Sequence, residues 1–129
     1  MVVDASVVVA ALIDDGPAGR WAAGVMASAA LAAPAHRQVE AASALRRLGA
    51  ARSVGEDVAT LAHADVLELR IQFYAYAPFG DRVWALRGAL CTYDAAYVAL
   101  AEALAAPLAT LDGRLARAPG VACTILTPS

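Results

Sequence analysis

Lysine is absent from this chain, and cysteine and aromatic residues are scarce. All ten basic residues of the 129 are arginine. Without lysine, the chain lacks the phosphate-binding lysine of a P-loop, the amine of a Schiff-base enzyme and the lysine of receiver-type phosphotransfer sites. The two cysteines, Cys91 and Cys123, show no metal-ligand spacing. This pattern predicts small buried thiols in a cytoplasmic protein.

Long apolar runs and a large net charge are also missing. The longest uncharged run, residues 21–35, has 15 residues and is mostly alanine, whereas a membrane-spanning helix needs about 18 or more apolar residues. An acid near the N-terminus replaces the basic flank of a signal peptide. We therefore expect no membrane association. The net charge of −2 opposes bulk attraction to nucleic acid, but it allows a local basic patch.

Short apolar runs alternate with helical patterns along the chain. The opening run, which ends at Asp4, is too short for a helix and reads as a buried, central strand. Further strands are predicted at residues 31–34, 70–76, 108–111 and 121–126. Helices are predicted after an N-cap at Ser6 and at residues 20–31, 36–51, 53–69, 82–90, 95–106 and 113–118. This alternation predicts one domain over residues 1–129, an α/β sandwich with a mostly parallel sheet.

Four acids stand apart from the turn and surface charges. Asp4 and Asp112 each follow a strand, in VVDAS and ATLDG. Because the carboxyl ends of parallel strands share one edge of a sheet, both carboxylates are expected in one crevice. Asp94 precedes the strongest helix as its predicted N-cap. Glu40 lies on the border of the apolar stripe of the 36–51 helix.

Carboxylates that converge in a partly buried crevice repel one another and require a compensating cation. Mg²⁺ or Mn²⁺ suits such oxygen ligands, whereas His36 and His63 are too far apart for a zinc motif. A site of this kind suits phosphodiester hydrolysis by a metal-activated water. Ser6 and Thr110 flank the acids at the strand ends. They either hydrogen-bond the carboxylates and metal-bound waters or serve only in helix capping and strand packing.

With these acids in place, the chain resembles the PIN-domain ribonucleases, and within them the VapC toxins of VapBC toxin–antitoxin modules. VVDASVVVAAL is similar to the opening strand and helix of the family, with Asp4 and Ser6. VEAASALRRL resembles the segment that carries Glu40, and TYDAAYVALAEAL is similar to the helix of the third acid, Asp94. PLATLDGRLARA resembles the closing strand–acid segment, with Thr110 and Asp112.

The resemblance implies a PIN-like three-layer α/β/α sandwich and an Mg²⁺- or Mn²⁺-dependent endoribonuclease. Asp4, Glu40, Asp94 and Asp112 would be its catalytic, metal-binding residues. It also implies a cognate VapB-type antitoxin, an RNA substrate such as tRNA or rRNA, and a homodimer. Two other interpretations remain: a PIN-like binding or regulatory module with a lapsed site, and a haloacid-dehalogenase-like phosphohydrolase. The second of these needs another Asp at the position of Ser6 and a lysine.

Two sets of residues have alternative interpretations. The aromatic stretch at residues 72–87 is either core packing or a docking surface for an antitoxin or a second subunit. Arginines near the predicted site either contact RNA phosphates or are ordinary surface charges. These arginines are Arg37, Arg82, Arg87, Arg114 and Arg117.

Overall fold

A computed structural model describes residues 1–128. Its strands are β1 (Val2–Val3), β2 (Leu31–Pro34), β3 (Ile71–Tyr74), β4 (Leu108–Ala109) and β5 (Ile125–Leu126). Its helices are α1 (Ala5–Ile13), α2 (Pro17–Ser28), α3 (Arg37–Ala50), α4 (Glu56–Glu68), α5 (Gly80–Ala85) and α6 (Thr92–Ala103).

The five strands form one parallel sheet in the order β3-β2-β1-β4-β5. The chain moves outward from β1 to β3 on one side and from β4 to β5 on the other. The order of the strands therefore reverses between β1 and β4, which are direct neighbours. The prediction of a central first strand in a parallel sheet is confirmed.

Helices cover both faces of the sheet. Successive strand residues point to opposite sides, so each apolar strand contributes side chains to a core on either face. Val2 packs in a cluster with α5 and α6, and Val3 packs in a second cluster with α1, α3 and α4. Leu108 and Ala109 divide between the same two clusters. The predicted three-layer α/β/α sandwich is thus confirmed. Among residues 1–128, no helix combines the length and apolar character that crossing a bilayer requires.

The first helix and the sixth fix the local geometry of the site. Asp4 rather than Ser6 is the N-cap of α1, and its carboxylate accepts the amide of Val7. The helix α6 begins at Thr92 after an N-cap at Cys91, so Asp94 lies within the first turn instead of preceding the helix. Both predicted caps were wrong by a few residues because several polar side chains compete to begin each helix. Residues 95–101 of α6 are all buried.

Other predicted boundaries were too generous. The last three strands are shorter than predicted, the 82–90 helix ends at Ala85, and the 113–118 segment holds only a 3₁₀ turn. The aromatic stretch is mixed: Phe79 is buried, whereas Tyr76 and Trp84 are exposed. Cys91 is exposed and not a buried thiol.

Candidate active site

The four acids line one cleft at the carboxyl ends of the strands. Asp4 and Asp112 follow β1 and β4, the two strands on either side of the reversal in strand order. Glu40 and Asp94 come from the first turns of α3 and α6. The cleft has a volume of about 230 Å³. In open α/β sheets this point of reversal is where ligands bind, so the predicted crevice lies where the topology favours a site.

Asp4 is the most buried of the four acids and is 8% exposed. Its Oδ1 accepts hydrogen bonds from the Ser6 hydroxyl at 2.5 Å and the Val7 amide at 3.2 Å. Its Oδ2 accepts a hydrogen bond from the Thr110 hydroxyl. Burial raises the pKa of Asp4, and the charge of Asp94 adds to this, although the hydrogen bonds oppose it.

Ser6 and Thr110 also join the two strand ends. The Ser6 Oγ accepts the amide of Leu111 at 3.1 Å, and the Thr110 Oγ1 accepts the amide of Asp112 at 3.0 Å. Each hydroxyl donates to Asp4 and accepts from the chain that follows β4. These contacts fix the orientation of Asp4 relative to Asp112, so both hydroxyls do more than cap a helix or fill a strand.

Asp112 forms an ion pair with Arg114, which is 81% exposed. The Nε of Arg114 donates to Oδ1 at 3.0 Å, and its Nη2 donates to Oδ2 at 2.7 Å. This guanidinium lowers the pKa of Asp112. The carboxylate therefore stays ionised, and solvent weakens the ion pair because the arginine side chain is exposed.

Glu40 is held between two rings. Its Oε1 accepts a hydrogen bond from the buried Tyr97 hydroxyl at 2.6 Å and lies 3.2 Å from the His36 Nε2. Burial acts to raise the pKa of Glu40, but the contacts with His36 and Tyr97 outweigh it and lower that pKa. Burial, followed by the bond to Glu40, raises the pKa of Tyr97. The phenol thus remains a donor that orients an ionised carboxylate.

The four side chains share a cleft without forming a closed chelate. Among residues 1–128, no three Asp, Glu, His or Cys side chains are grouped closely enough to hold an ion as they stand. Each of Asp4, Glu40 and Asp112 is turned toward its own hydrogen-bond partner. The donors nevertheless suit a hard cation, because all four are carboxylates and carboxylate oxygen is the preferred ligand of Mg²⁺ and Mn²⁺.

Most of the arginines proposed for RNA binding lie elsewhere. Arg37 is fully buried 5.2 Å from the centre of the Phe73 ring, and its guanidinium has no hydrogen-bond partner among residues 1–128. Arg82 pairs with Glu102, and Arg87 stacks on Trp84. These three are unsuited to contact RNA at the cleft. Arg114 and Arg117 remain beside Asp112.

Two residues of the cleft were missed by the sequence analysis. Arg47 lines the cleft together with Glu40, and Tyr97 supplies the hydroxyl that holds Glu40. Arg47 follows Glu40 by two helical turns, which places both on one face of α3. Tyr97 follows Asp94 by three residues, which again is one face of a helix. Helical spacing from the predicted acids could have identified both residues.

Comparison with known families fits this geometry. The PIN domain matches residues 1–121. The fold, the acidic cleft at the reversal of strand order and this match define the class: the chain belongs to the PIN-domain family.

Individual relatives narrow the class. The chain is 38% identical to Ribonuclease VapC9 of Mycobacterium tuberculosis over 125 residues, which cover 97% of this chain and 95% of that protein. It is 35% identical to Ribonuclease VapC12 of the same organism over 120 residues, 93% and 92% of the two chains. Within the PIN-domain family, the chain therefore falls among the VapC proteins.

Solved structures share the fold. A protein from Pyrobaculum aerophilum superposes with a TM-score of 0.69 at 27% identity, over 96% of this chain and 81% of that one. VapBC2 from Rickettsia felis, bound to a DNA fragment from its promoter, gives a TM-score of 0.68 at 12% identity over 99% and 98%. At so low an identity, the second likeness concerns the fold alone.

Proposed function

We propose that this protein is a metal-dependent endoribonuclease, the toxin component of a type II toxin–antitoxin system. Asp4, Glu40, Asp94 and Asp112 would be its catalytic carboxylates and metal ligands. The observation that carries this proposal is that all four line one cleft at the reversal of strand order. The identity to VapC ribonucleases supports the same reaction.

The residues of the chain divide the work at the cleft. Ser6 and Thr110 hold both oxygens of Asp4 and so keep its position fixed relative to Asp112. Tyr97 holds Glu40, which stays ionised and available as a ligand or as an acceptor for a proton from water. Such preorganised partners matter because they limit the reorganisation that ligand binding requires.

Mg²⁺ or Mn²⁺ would be held by Asp4, Asp94, Asp112 and Glu40. When bound, the ion would supply an activated water and charge stabilisation at the phosphate. The fit rests on the chemistry of four carboxylates in one cleft. Arg114 would release Asp112 on ion binding, and its position on the surface makes this release inexpensive.

The proposed partners follow from the same relatives. We propose a cognate VapB-type antitoxin because the chain falls among the VapC proteins, the toxins of VapBC modules. RNA, whether tRNA or rRNA, would be the substrate. We propose that residues 1–129 form one nuclease domain. We also propose that the protein acts in the cytoplasm as a homodimer.

Cleavage of total RNA by the purified protein tests the activity. We expect cleavage with Mg²⁺ or Mn²⁺ and none with a chelator. Asp4→Asn should lower the rate by about two orders of magnitude or more, because metal ligation contributes several kcal/mol to the transition state. Undiminished cleavage by this variant, or in chelator, would refute the proposal.

Metal binding has a readout that is independent of activity. Mn²⁺ should raise the melting temperature, with a stabilisation of about 2.7 kcal/mol at a hundredfold excess over Kd. Calorimetry should detect the same binding. A protein that binds no Mn²⁺ would instead be a PIN-like binding or regulatory module with a lapsed site.

A further inference from the structure

A second cavity of about 320 Å³ adjoins the acidic cleft. Two residues, Glu40 and Arg47, line both spaces, so the cavity continues directly from the candidate active site. Its volume is at the lower end of the range of small-ligand pockets, about 300–1,000 Å³. The remaining lining residues are His36, Val39, Ser43 and Tyr93.

Aromatic and apolar surface is exposed around this cavity. Tyr93 is 59% exposed and Val39 is 72% exposed, although both lie beside a highly charged cleft. Tyr93 immediately precedes Asp94 in α6. Single exposed apolar side chains are common on protein surfaces, but these two line one cavity that continues from the cleft.

Three rings connect this surface to the core. The His36 ring lies 5.1 Å from the ring of the buried Tyr97 and 5.5 Å from the ring of Tyr93. Tyr97 is anchored through its bond to Glu40. His36 therefore supports Tyr93 from the protein side, while more than half of Tyr93 remains open to solvent. Such an arrangement gives a positioned aromatic platform and not a freely moving side chain.

Arg47 provides the matching positive charge. Its Nη1 donates to the Ser43 hydroxyl at 2.9 Å, which directs the side chain along α3 toward the boundary of the two cavities. An arginine at this boundary can contact a phosphate of an RNA strand that passes from the second cavity into the acidic cleft. Aromatic platform, cation and acidic cleft thus follow one another along the surface.

We propose that this cavity binds the base of an unpaired nucleotide next to the scissile phosphate. The base stacks on Tyr93, and Arg47 contacts the phosphate between the two cavities. Aromatic stacking favours unpaired nucleotides because a base within a duplex does not expose its face. The inference rests on the proposed nuclease function and adds the two residues, Tyr93 and Arg47, that would contact the nucleotide beside the scissile phosphate.

Titration of the protein with AMP and with ribose 5-phosphate tests the base contact without cleavage. The readout is the NMR spectrum of labelled tyrosine rings. AMP should bind about fivefold or more tightly than ribose 5-phosphate, because stacking of one base on an aromatic ring strengthens binding by at least about this factor. AMP should also shift the Tyr93 signals. Tyr93→Ala should remove the advantage of AMP, whereas Tyr93→Phe should retain it.

Trp84→Ala is the matched control, because Trp84 is an exposed aromatic residue outside both cavities. It should leave the preference for AMP and the cleavage of RNA unchanged. Tyr93→Ala should raise the KM for RNA more than it lowers kcat. Equal binding of AMP and ribose 5-phosphate by the wild-type protein, or an unchanged preference in Tyr93→Ala, would overturn the inference and leave the surface to a protein partner.

The two proposals fail separately. If Asp4→Asn still cleaves RNA, the assignment of the acids is wrong, whatever AMP does. If Asp4→Asn is inactive but Tyr93→Ala binds and cleaves like the wild-type protein, the nuclease stands and the base site is wrong.

Discussion

Carboxylates at the two ends of the sheet have different kinds of hydrogen-bond partner. At the end opposite the cleft, Glu102 of α6 receives two hydrogen bonds from Arg82 and one from the amide of Ala122. Its charge is balanced by a cation. At the cleft, Asp4 is held by two hydroxyl groups and a backbone amide, and Glu40 lies between a tyrosine hydroxyl and a histidine ring.

The difference separates Glu102 from the acids that we propose as functional. Glu102 links α6 to α5 and to the chain near Ala122, so its oxygens are already occupied. Asp112 also has an arginine partner, but Arg114 is exposed and only two residues away, so that pair links no distant elements. Acids that are oriented by hydroxyls keep their negative charge available, at the cost of mutual repulsion when no cation is present. Stability is commonly given up in this way at functional sites.

Removal of one negative charge should have different consequences at the two ends of the sheet, and the difference in RNA cleavage is the largest expected effect. Asp94→Asn should reduce RNA cleavage by about a hundredfold or more, because a charged ligand is lost from the cleft. It should also abolish most of the Mn²⁺-induced rise in melting temperature. Glu102→Gln should retain both. Cleavage assays and thermal unfolding with and without Mn²⁺ measure the two effects.

An equal loss of cleavage in the two variants would show that the comparison between the ends is unfounded. Circular dichroism of both variants controls for unfolding, since Glu102→Gln also removes a contact between elements of the fold.

A smaller effect is expected from the group that orients Glu40. Tyr97→Phe removes one hydroxyl and keeps the buried ring, so the fold should persist while Glu40 loses its donor at 2.6 Å. Loss of such an orienting partner reduces metal affinity or activity by about 10- to 100-fold. Mn²⁺ calorimetry and RNA cleavage should both report it.

Tyr76→Phe is the control for this substitution, because Tyr76 is exposed and lies outside the cleft. Tyr97→Phe with unchanged Mn²⁺ affinity would mean that Glu40 needs no positioning or binds no metal.

The fold was predictable because its signals are local. Short apolar runs ending in Asp4 and Asp112 predicted neighbouring parallel strands, and the structure confirms that β1 and β4 pair. Helix starts were less predictable, since Asp4 and Ser6 can each cap α1 and only the packed chain selects one. Very short strands such as β5 depend on their neighbours more than on their own sequence.

Helical spacing could place Tyr97 in the cleft, but the sequence could not show which acid each side chain contacts. Tyr97 lies 57 residues from Glu40, and Arg82 lies 20 residues from Glu102. Such contacts depend on how α3, α5 and α6 pack. Arg37 shows the same limit: beside Glu40 in the sequence it suggests a phosphate contact, but the fold buries it against Phe73.

The smallest expected effect concerns the balanced end and its dependence on pH. Arg82 lowers the pKa of Glu102 below its usual value of 4.5. Because the folded-state pKa lies below the unfolded one, the stabilisation is complete above about pH 4.5 and is lost as the pH falls through the folded-state value.

At pH 7, Glu102→Gln should lower the free energy of unfolding by about 1 kcal/mol, a figure reduced for the partial exposure of Arg82. Urea unfolding at pH 7 and pH 3 measures the difference, which should narrow at the lower pH. The control is Asp65→Asn, at an exposed acid of α4, which should leave the free energy of unfolding at pH 7 unchanged. A deficit in Glu102→Gln that persists undiminished at pH 3 would assign the contact to packing instead of charge.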